Sequence, residues 1–190
     1  MRLFLALDIT PDIRATITSY VDTLRRLPGI RFMPSESYHV TLKFLGEVKD
    51  LDRVQRAVAN VRSPSFPISF HDVGFFPSTR APRVFWAGIH ADDRLPALAR
   101  GVEDALAQVG FAREERPYHP HLTLARSGSG SPRPRHDERP VAGFRALVQA
   151  IEKNPAPNFG TMTASEFFIY ESKLSPSGAQ YSKLARYALL

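Results

Sequence analysis

Two tetrapeptides hold the residues best suited to chemistry: His39-Val40-Thr41-Leu42 and, 82 residues later, His121-Leu122-Thr123-Leu124. Each lies in a run of apolar and β-branched residues that reads as a strand, where alternate side chains share a face. His39 and Thr41 therefore project together while Val40 and Leu42 face a core, and His121 and Thr123 repeat this over Leu122 and Leu124. A single His-x-Thr is most often a histidine hydrogen-bonded inside a sheet. Duplication, threonines included, changes that reading. Two imidazoles can divide acid and base between them near neutral pH, one charged and one neutral. Hydroxyls beside them suit the non-bridging oxygens of a phosphoryl group, which gains charge as it becomes five-coordinate. No seryl, cysteinyl or metal nucleophile is required.

A metal centre is the rival enzymatic reading, because His119 and His121 flank Pro120 and alternate strand positions can face one ion. Carboxylates are scarce there, with only Glu36, Glu114 and Glu115 at uncertain distance, and an ion would leave the paired threonines unexplained. The expectation is no metal and no cofactor. Strand parity places Lys43 on the face of His39 and Thr41, as a phosphate contact, and puts Phe44 in the core. Further phosphate contacts are sought among Arg80, Arg83, Arg116, Arg133, Arg135 and Arg139. Phe75, Phe76, Trp86 and Tyr118 are candidates to stack a base, with core packing as the default for each.

The motifs need elements to position them. Residues 2–8 read as a strand. Thr10-Pro11-Asp12 then supplies the N-cap, first-turn proline and first-turn acid of a helix with Ile13, Ile17, Tyr20, Val21, Leu24 and Leu27 on one face. After Pro28-Gly29 the pattern predicts an extended piece at 30–33, a strand at 38–45, and a helix capped by Asp50 with Leu51, Val54, Val58 and Val61 inward. Strands at 66–76 and 84–90 and a helix over about 93–109, closed by Gly110, follow. The second motif falls in a predicted strand at 118–125, and the Gly/Ser/Pro-rich stretch 127–140 reads as a loop. A helix at 141–152, a strand at 161–171, a turn at Ser175-Pro176-Ser177-Gly178 and a strand at 180–189 complete the chain, the last pair as a hairpin. Without strict alternation of strand and helix, the expected class is α+β with antiparallel pairing.

Composition narrows the function further. A chain of 190 residues, 43% hydrophobic and 23% charged, can bury a substantial core. It has no cysteine, which excludes disulfides, thiolate metal sites and thiol nucleophiles and agrees with a reducing compartment. The opening segment is too weakly apolar for a secretory signal and no window suits a membrane span, so the expected location is the cytoplasm. Lys and Arg number 25 against 19 acids, for a net charge of +6. That balance favours a polyanionic partner. No apolar stripe is left over, so a monomer is expected.

The sequence resembles the two-histidine phosphoesterases, and within them the RNA 2′,3′-cyclic phosphodiesterases, also called 2′-5′ RNA ligases. The resemblance runs through RLFLALD, YHVTLKFLGEV, FPSTRAPRVFWAGI, RPYHPHLTLAR and ESKLSPSGAQYSKLARYAL, nearly the whole chain. It implies a single bilobal domain over residues 1–190, with pseudo-twofold symmetry, antiparallel sheets flanked by helices, and a central cleft where the motifs face one another. It further implies that His39 donates a proton to the leaving 3′ oxygen and His121 accepts one from water, roles that the motif symmetry alone would allow to be exchanged. Thr41 and Thr123 would hold phosphate oxygens. Arg126, matching the basic residue after the second motif, would neutralise charge, but strand parity brings it to the cleft only if the strand ends or bulges near Ala125. The implied substrate is RNA ending in a 2′,3′-cyclic phosphate, opened to a 2′-phosphomonoester or joined reversibly in a 2′-5′ linkage. A small cyclic nucleotide as substrate and a non-catalytic RNA-binding module are the alternatives. DNA and membranes are not expected partners.

Overall fold

The computed structural model describes residues 1–127, 142–175 and 178–190. Strand β1 (Arg2–Asp8) runs into helix α1 (Pro11–Leu24). Pro11 suits a helix's first turn, where its missing N–H has no intrahelical partner. Thr10 holds the N-cap position but its hydroxyl makes no capping bond, unlike the sequence expectation. Ile13, Ile17, Tyr20, Val21 and Leu24 are buried, as their spacing predicts. Next come β2 (Arg31–Phe32), a 3₁₀ turn at Ser35–Ser37, β3 (His39–Glu47) and α2 (Leu51–Val58), which Asp50 caps by accepting from the Arg53 amide at 3.0 Å. The chain continues through β4 (Phe66–Phe76), β5 (Val84–Ala91), α3 (Arg94–Gln108), β6 (His121–Arg126), α4 (Ala142–Lys153), β7 (Gly160–Ala164), β8 (Glu166–Ser175) and β9 (Gly178–Ala188). The predicted loop beyond Ser127, with Arg133, Arg135 and Arg139, lies outside the described residues, as do Pro176 and Ser177 of the predicted turn.

The strands form two antiparallel sheets, ordered β3-β1-β8-β9 and β2-β6-β5-β4-β7, which establishes the α+β class. Two boundaries differ from the sequence reading. The predicted strand at 161–171 is two strands in different sheets, β7 pairing with β4 and β8 with β1. The core-facing positions switch from Met162 and Ala164 to Phe167 and Ile169, an even-to-odd change across Ser165 that regular strand alternation does not make. The second-motif strand starts at His121 rather than 118, since Pro117 and Pro120 offer no N–H to a ladder.

One continuous buried cluster joins the sheets. It contains Leu5 and Leu7 of β1, Val40 and Leu42 of β3, Leu122 and Leu124 of β6, and the inward faces of α1, α2 and α3. A separate patch of Phe4, Ala6, Phe168 and Tyr170 covers the opposite face of the four-stranded sheet. This explains why β1 is apolar throughout instead of alternating. Among the described residues no helix is long and apolar enough to cross a membrane.

Candidate active site

β3 and β6 carry the two motifs, one in each sheet, and their side chains follow the same pattern of exposure for six residues. The cause is a β-bulge at the same place in both. Between the pairs Ala6↔Thr41 and Leu5↔Lys43, Leu42 is the extra residue; between Trp86↔Thr123 and Phe85↔Ala125, it is Leu124. Each bulge shifts the alternation by one residue. His39, Thr41 and Phe44 therefore share one face of β3, and His121, Thr123 and Arg126 the matching face of β6. Leu42 with Lys43, and Leu124 with Ala125, turn inward instead.

Lys43 consequently is not a cleft residue, contrary to the parity expectation. Its side chain is 9% exposed, with the ammonium paired to the Glu103 carboxylate and donating to the Ala112 carbonyl at 2.7 Å. Phe44 is displaced the other way: expected in the core, it is 63% exposed, with its ring 5.8 Å from that of Phe4. The bulge near Ala125 meets the condition set for Arg126, whose charge acts on His39, His121 and Tyr181.

The imidazoles are held alike. His39 Nδ1 lies 2.7 Å from the Ser37 carbonyl oxygen, and His121 Nδ1 lies 2.8 Å from that of His119. A carbonyl can only accept, so Nδ1 carries the hydrogen in both rings and Nε2 is left to exchange a proton. The Tyr118 hydroxyl donates to the Thr41 carbonyl at 2.9 Å, tying the approach to β6 onto β3. Aromatic rings fix the remaining freedom. His39 packs 4.7 Å from Phe4 and edge-on to Tyr181 at 5.3 Å, and His121 meets Phe76 edge-on at 4.9 Å. Phe76 rests in turn on Trp86, 5.1 Å away, whose indole occupies the space a side chain at Gly74 would fill.

This packing sets the electrostatics. Burial pushes the His39 pKa down from 6.5 to about 4, opposed by its backbone hydrogen bond and assisted by Arg126. Burial also lowers that of His121, with the same opposition from its backbone bond. Asp8 favours the charged form of His39, but its carboxylate is shared with Arg14 at 2.8 Å and Lys183 at 2.5 Å. In the free protein both imidazoles are therefore neutral at pH 7, and an anion in the cleft would raise both pKa values. A polar cavity of about 310 Å³ opens beside His39, bounded by Asp8, Arg14, Glu36, Tyr38, Tyr170, Tyr181 and Lys183.

A model for the family described as LigT-like phosphoesterases matches residues 7–86 and 89–181. The chain belongs to the LigT-like phosphoesterases. The RNA 2′,3′-cyclic phosphodiesterase of Archaeoglobus fulgidus is 32% identical over 186 residues, covering 97% of this chain and 98% of that one. A crystal structure from Thermus thermophilus superposes with a TM-score of 0.79 at 26% identity, covering 100% and 98% of the two chains. That of Escherichia coli LigT complexed with 3′-AMP gives a TM-score of 0.76 at 27% identity, covering 99% and 97%.

In this LigT-like phosphoesterase the other candidates divide by environment. Phe75 is core, Tyr118 is a half-buried strut, and Phe76 and Trp86 support His121. Arg116 is engaged by Glu114 through two guanidinium nitrogens. Sequence reasoning missed Phe4, Tyr170 and Tyr181 as the wall around His39. For Phe4 the sequence signal was the apolarity of both faces of the first strand, whereas Tyr170 and Tyr181 come from β8 and β9. The rival metal pair lies elsewhere in character: the His119 carbonyl is the anchor of His121, and the imidazole of His119 is exposed.

Proposed function

We propose that this LigT-like phosphoesterase hydrolyses RNA 2′,3′-cyclic phosphate ends to 2′-phosphomonoesters by acid/base catalysis between His39 and His121. The observation that carries the reading is the pair of Nδ1–carbonyl bonds, which leaves Nε2 of each imidazole for proton transfer. The names of its relatives support the substrate class.

Water attacks phosphorus as His121 Nε2 takes its proton. The bond from phosphorus to the 3′ oxygen breaks, and His39 Nε2 delivers a proton to that oxygen, leaving a 3′-hydroxyl and a 2′-phosphate. Thr41, Thr123 and Arg126 take up the charge that grows on the non-bridging oxygens. The substrate's own negative charge supplies the missing condition, raising the His39 pKa so that it is protonated in the complex. With the 5′-hydroxyl of a second strand in place of water, the same displacement makes a 2′-5′ joint. A 2′,3′-cyclic ester needs a 2′-hydroxyl, so RNA and not DNA is the substrate. The reading is completed by a monomeric enzyme of the cytoplasm, one bilobal domain, working without a catalytic metal or cofactor.

The test is turnover of a short RNA ending in 2′,3′-cyclic phosphate, in EDTA, beside 2′,3′-cyclic AMP. The expected result is a 2′-phosphate product, lost in His39→Ala and in His121→Ala. Preference for the mononucleotide would move the assignment to small cyclic nucleotides. No turnover of either would support a binding function.

A further inference from the structure

A second group of histidines stands apart from the two motifs. β4 and β5 pair regularly at Phe70↔Ile89 and again at Val73↔Ala87, so His71 and Asp72 form a bulge opposite Gly88 alone. Asp72 takes a positive φ of 63°, which costs a residue with a side chain, and such outliers persist where the surroundings enforce them. Gly88 is part of that enforcement: a Cβ there would lie 2.4 Å from the His71 carbonyl oxygen.

The bulge gathers three ligand-type side chains. Asp72 Oδ2 lies 2.8 Å from His71 Nδ1 and 3.4 Å from His90 Nε2, and all three donor atoms lie within 4.8 Å of one another. Ligand atoms around a tetrahedral zinc, at bonds of 2.0–2.1 Å, stand about 3.3 Å apart. Two of the three separations are already near that value. The imidazoles are stacked, with centroids 3.5 Å apart and planes 9° from parallel. Parallel rings aim their lone pairs side by side, so one ring must turn for both to meet an ion. The His71 and His90 side chains are 36% and 49% exposed, which leaves room for that turn.

We propose that His71, Asp72 and His90 bind one divalent transition-metal ion of the zinc class, with at least one coordination position open. Two imidazoles and a carboxylate are a borderline-to-hard donor set that selects such ions over calcium or magnesium. Gly88 pairs with His121 on its other edge, and alternation puts His90 on the same face as Gly88. The ion therefore sits on the His121 side of the five-stranded sheet, held between β4 and β5, the latter the direct neighbour of the strand that carries His121. Its donors are distinct from those of the acid/base pair.

Calorimetric titration with ZnCl₂ tests this on the wild-type chain, His71→Gln/His90→Gln, Asp72→Gly and His39→Gln/His121→Gln. Wild type and His39→Gln/His121→Gln should each bind one equivalent with similar affinity. The other two should bind about 100-fold more weakly or worse, since loss of a ligand costs at least as much as loss of a ligand's supporting contact. Glycine accepts the positive φ of position 72, so Asp72→Gly removes the carboxylate without adding strain. Its weakened binding, at an unchanged melting temperature, is a result that damage to the fold would not give. Imidazole NMR signals of His71 and His90 should shift together and saturate at one equivalent. Undiminished binding by His71→Gln/His90→Gln or Asp72→Gly, loss of binding only in His39→Gln/His121→Gln, or no binding by wild type would each overturn the site.

Discussion

Keeping the His39 imidazole neutral has a measurable effect on stability. Burial lowers its pKa from 6.5 to about 4 in the folded protein, while the unfolded chain restores the ordinary value. Above pH 6.5 neither state binds the proton, and the full stability is present. As pH falls toward 4 the unfolded state takes up a proton that the folded state refuses, so stability is lost through that interval and the loss levels off below it. At about 1.4 kcal/mol per pH unit, the contribution reaches about 1.4 kcal/mol at pH 5.5 and about 3 kcal/mol at pH 4. His39→Gln keeps a polar group of similar size but cannot titrate. Urea denaturation of both proteins from pH 7.5 to 4 should show the wild type losing about 3 kcal/mol relative to the variant, beyond the carboxylate effects common to both. A parallel NMR titration of the wild type should find His39 uncharged at pH 5. A stability difference independent of pH, or a His39 midpoint near 6.5, would refute the assignment of burial as the dominant influence.

Four further outcomes follow from the same geometry. His39→Ala and His121→Ala should each reduce kcat by about 10²–10⁴-fold, and the double variant should fall little further, because the pair acts as a unit; steady-state and single-turnover kinetics check this. Activity should be bell-shaped in pH, with both limbs of kcat at higher pH than those of kcat/KM, because bound anionic substrate raises both imidazole pKa values. Lys43→Met should leave kcat/KM near the wild-type value but cost about 3 kcal/mol in urea denaturation, through the uncompensated Glu103 carboxylate. Arg126→Ala should lower kcat/KM by about 10²-fold, with addition of guanidinium to the assay as a check on local rescue.

The arrangement of the candidate site was legible in the sequence because it is local: the His-x-Thr pattern and strand alternation together placed each imidazole on one face with its threonine. Helices α1, α2 and α3 were legible for a similar reason, since their buried residues recur at helical spacing. What alternation could not reveal was where it breaks. An extra residue in a ladder is defined by the partner strand, so the bulges at Leu42 and Leu124, and with them the fates of Lys43 and Phe44, depend on pairings far apart in sequence. The switch at Ser165 left a local trace in the parity of Met162, Ala164, Phe167 and Ile169, but only sheet membership shows its meaning. The wall of Phe4, Tyr170 and Tyr181 draws on three strands, β1, β8 and β9, and its effect on His39 is a product of tertiary packing alone.

The matching bulges also bear on regiochemistry. Along the cleft face the two motifs present His and His, then Thr and Thr, and only at the third position do they part, with Phe44 on one side and Arg126 on the other. A strictly twofold arrangement would offer the same surroundings to the 2′ and 3′ oxygens of a cyclic ester and could open it either way. By turning the sixth residue of each motif to the cleft face, the bulges expose the one such position in these hexapeptides where the symmetry is broken. Exchanging the residues at 44 and 126 would therefore bear on which oxygen keeps the phosphate, leaving the proton-transfer pair intact.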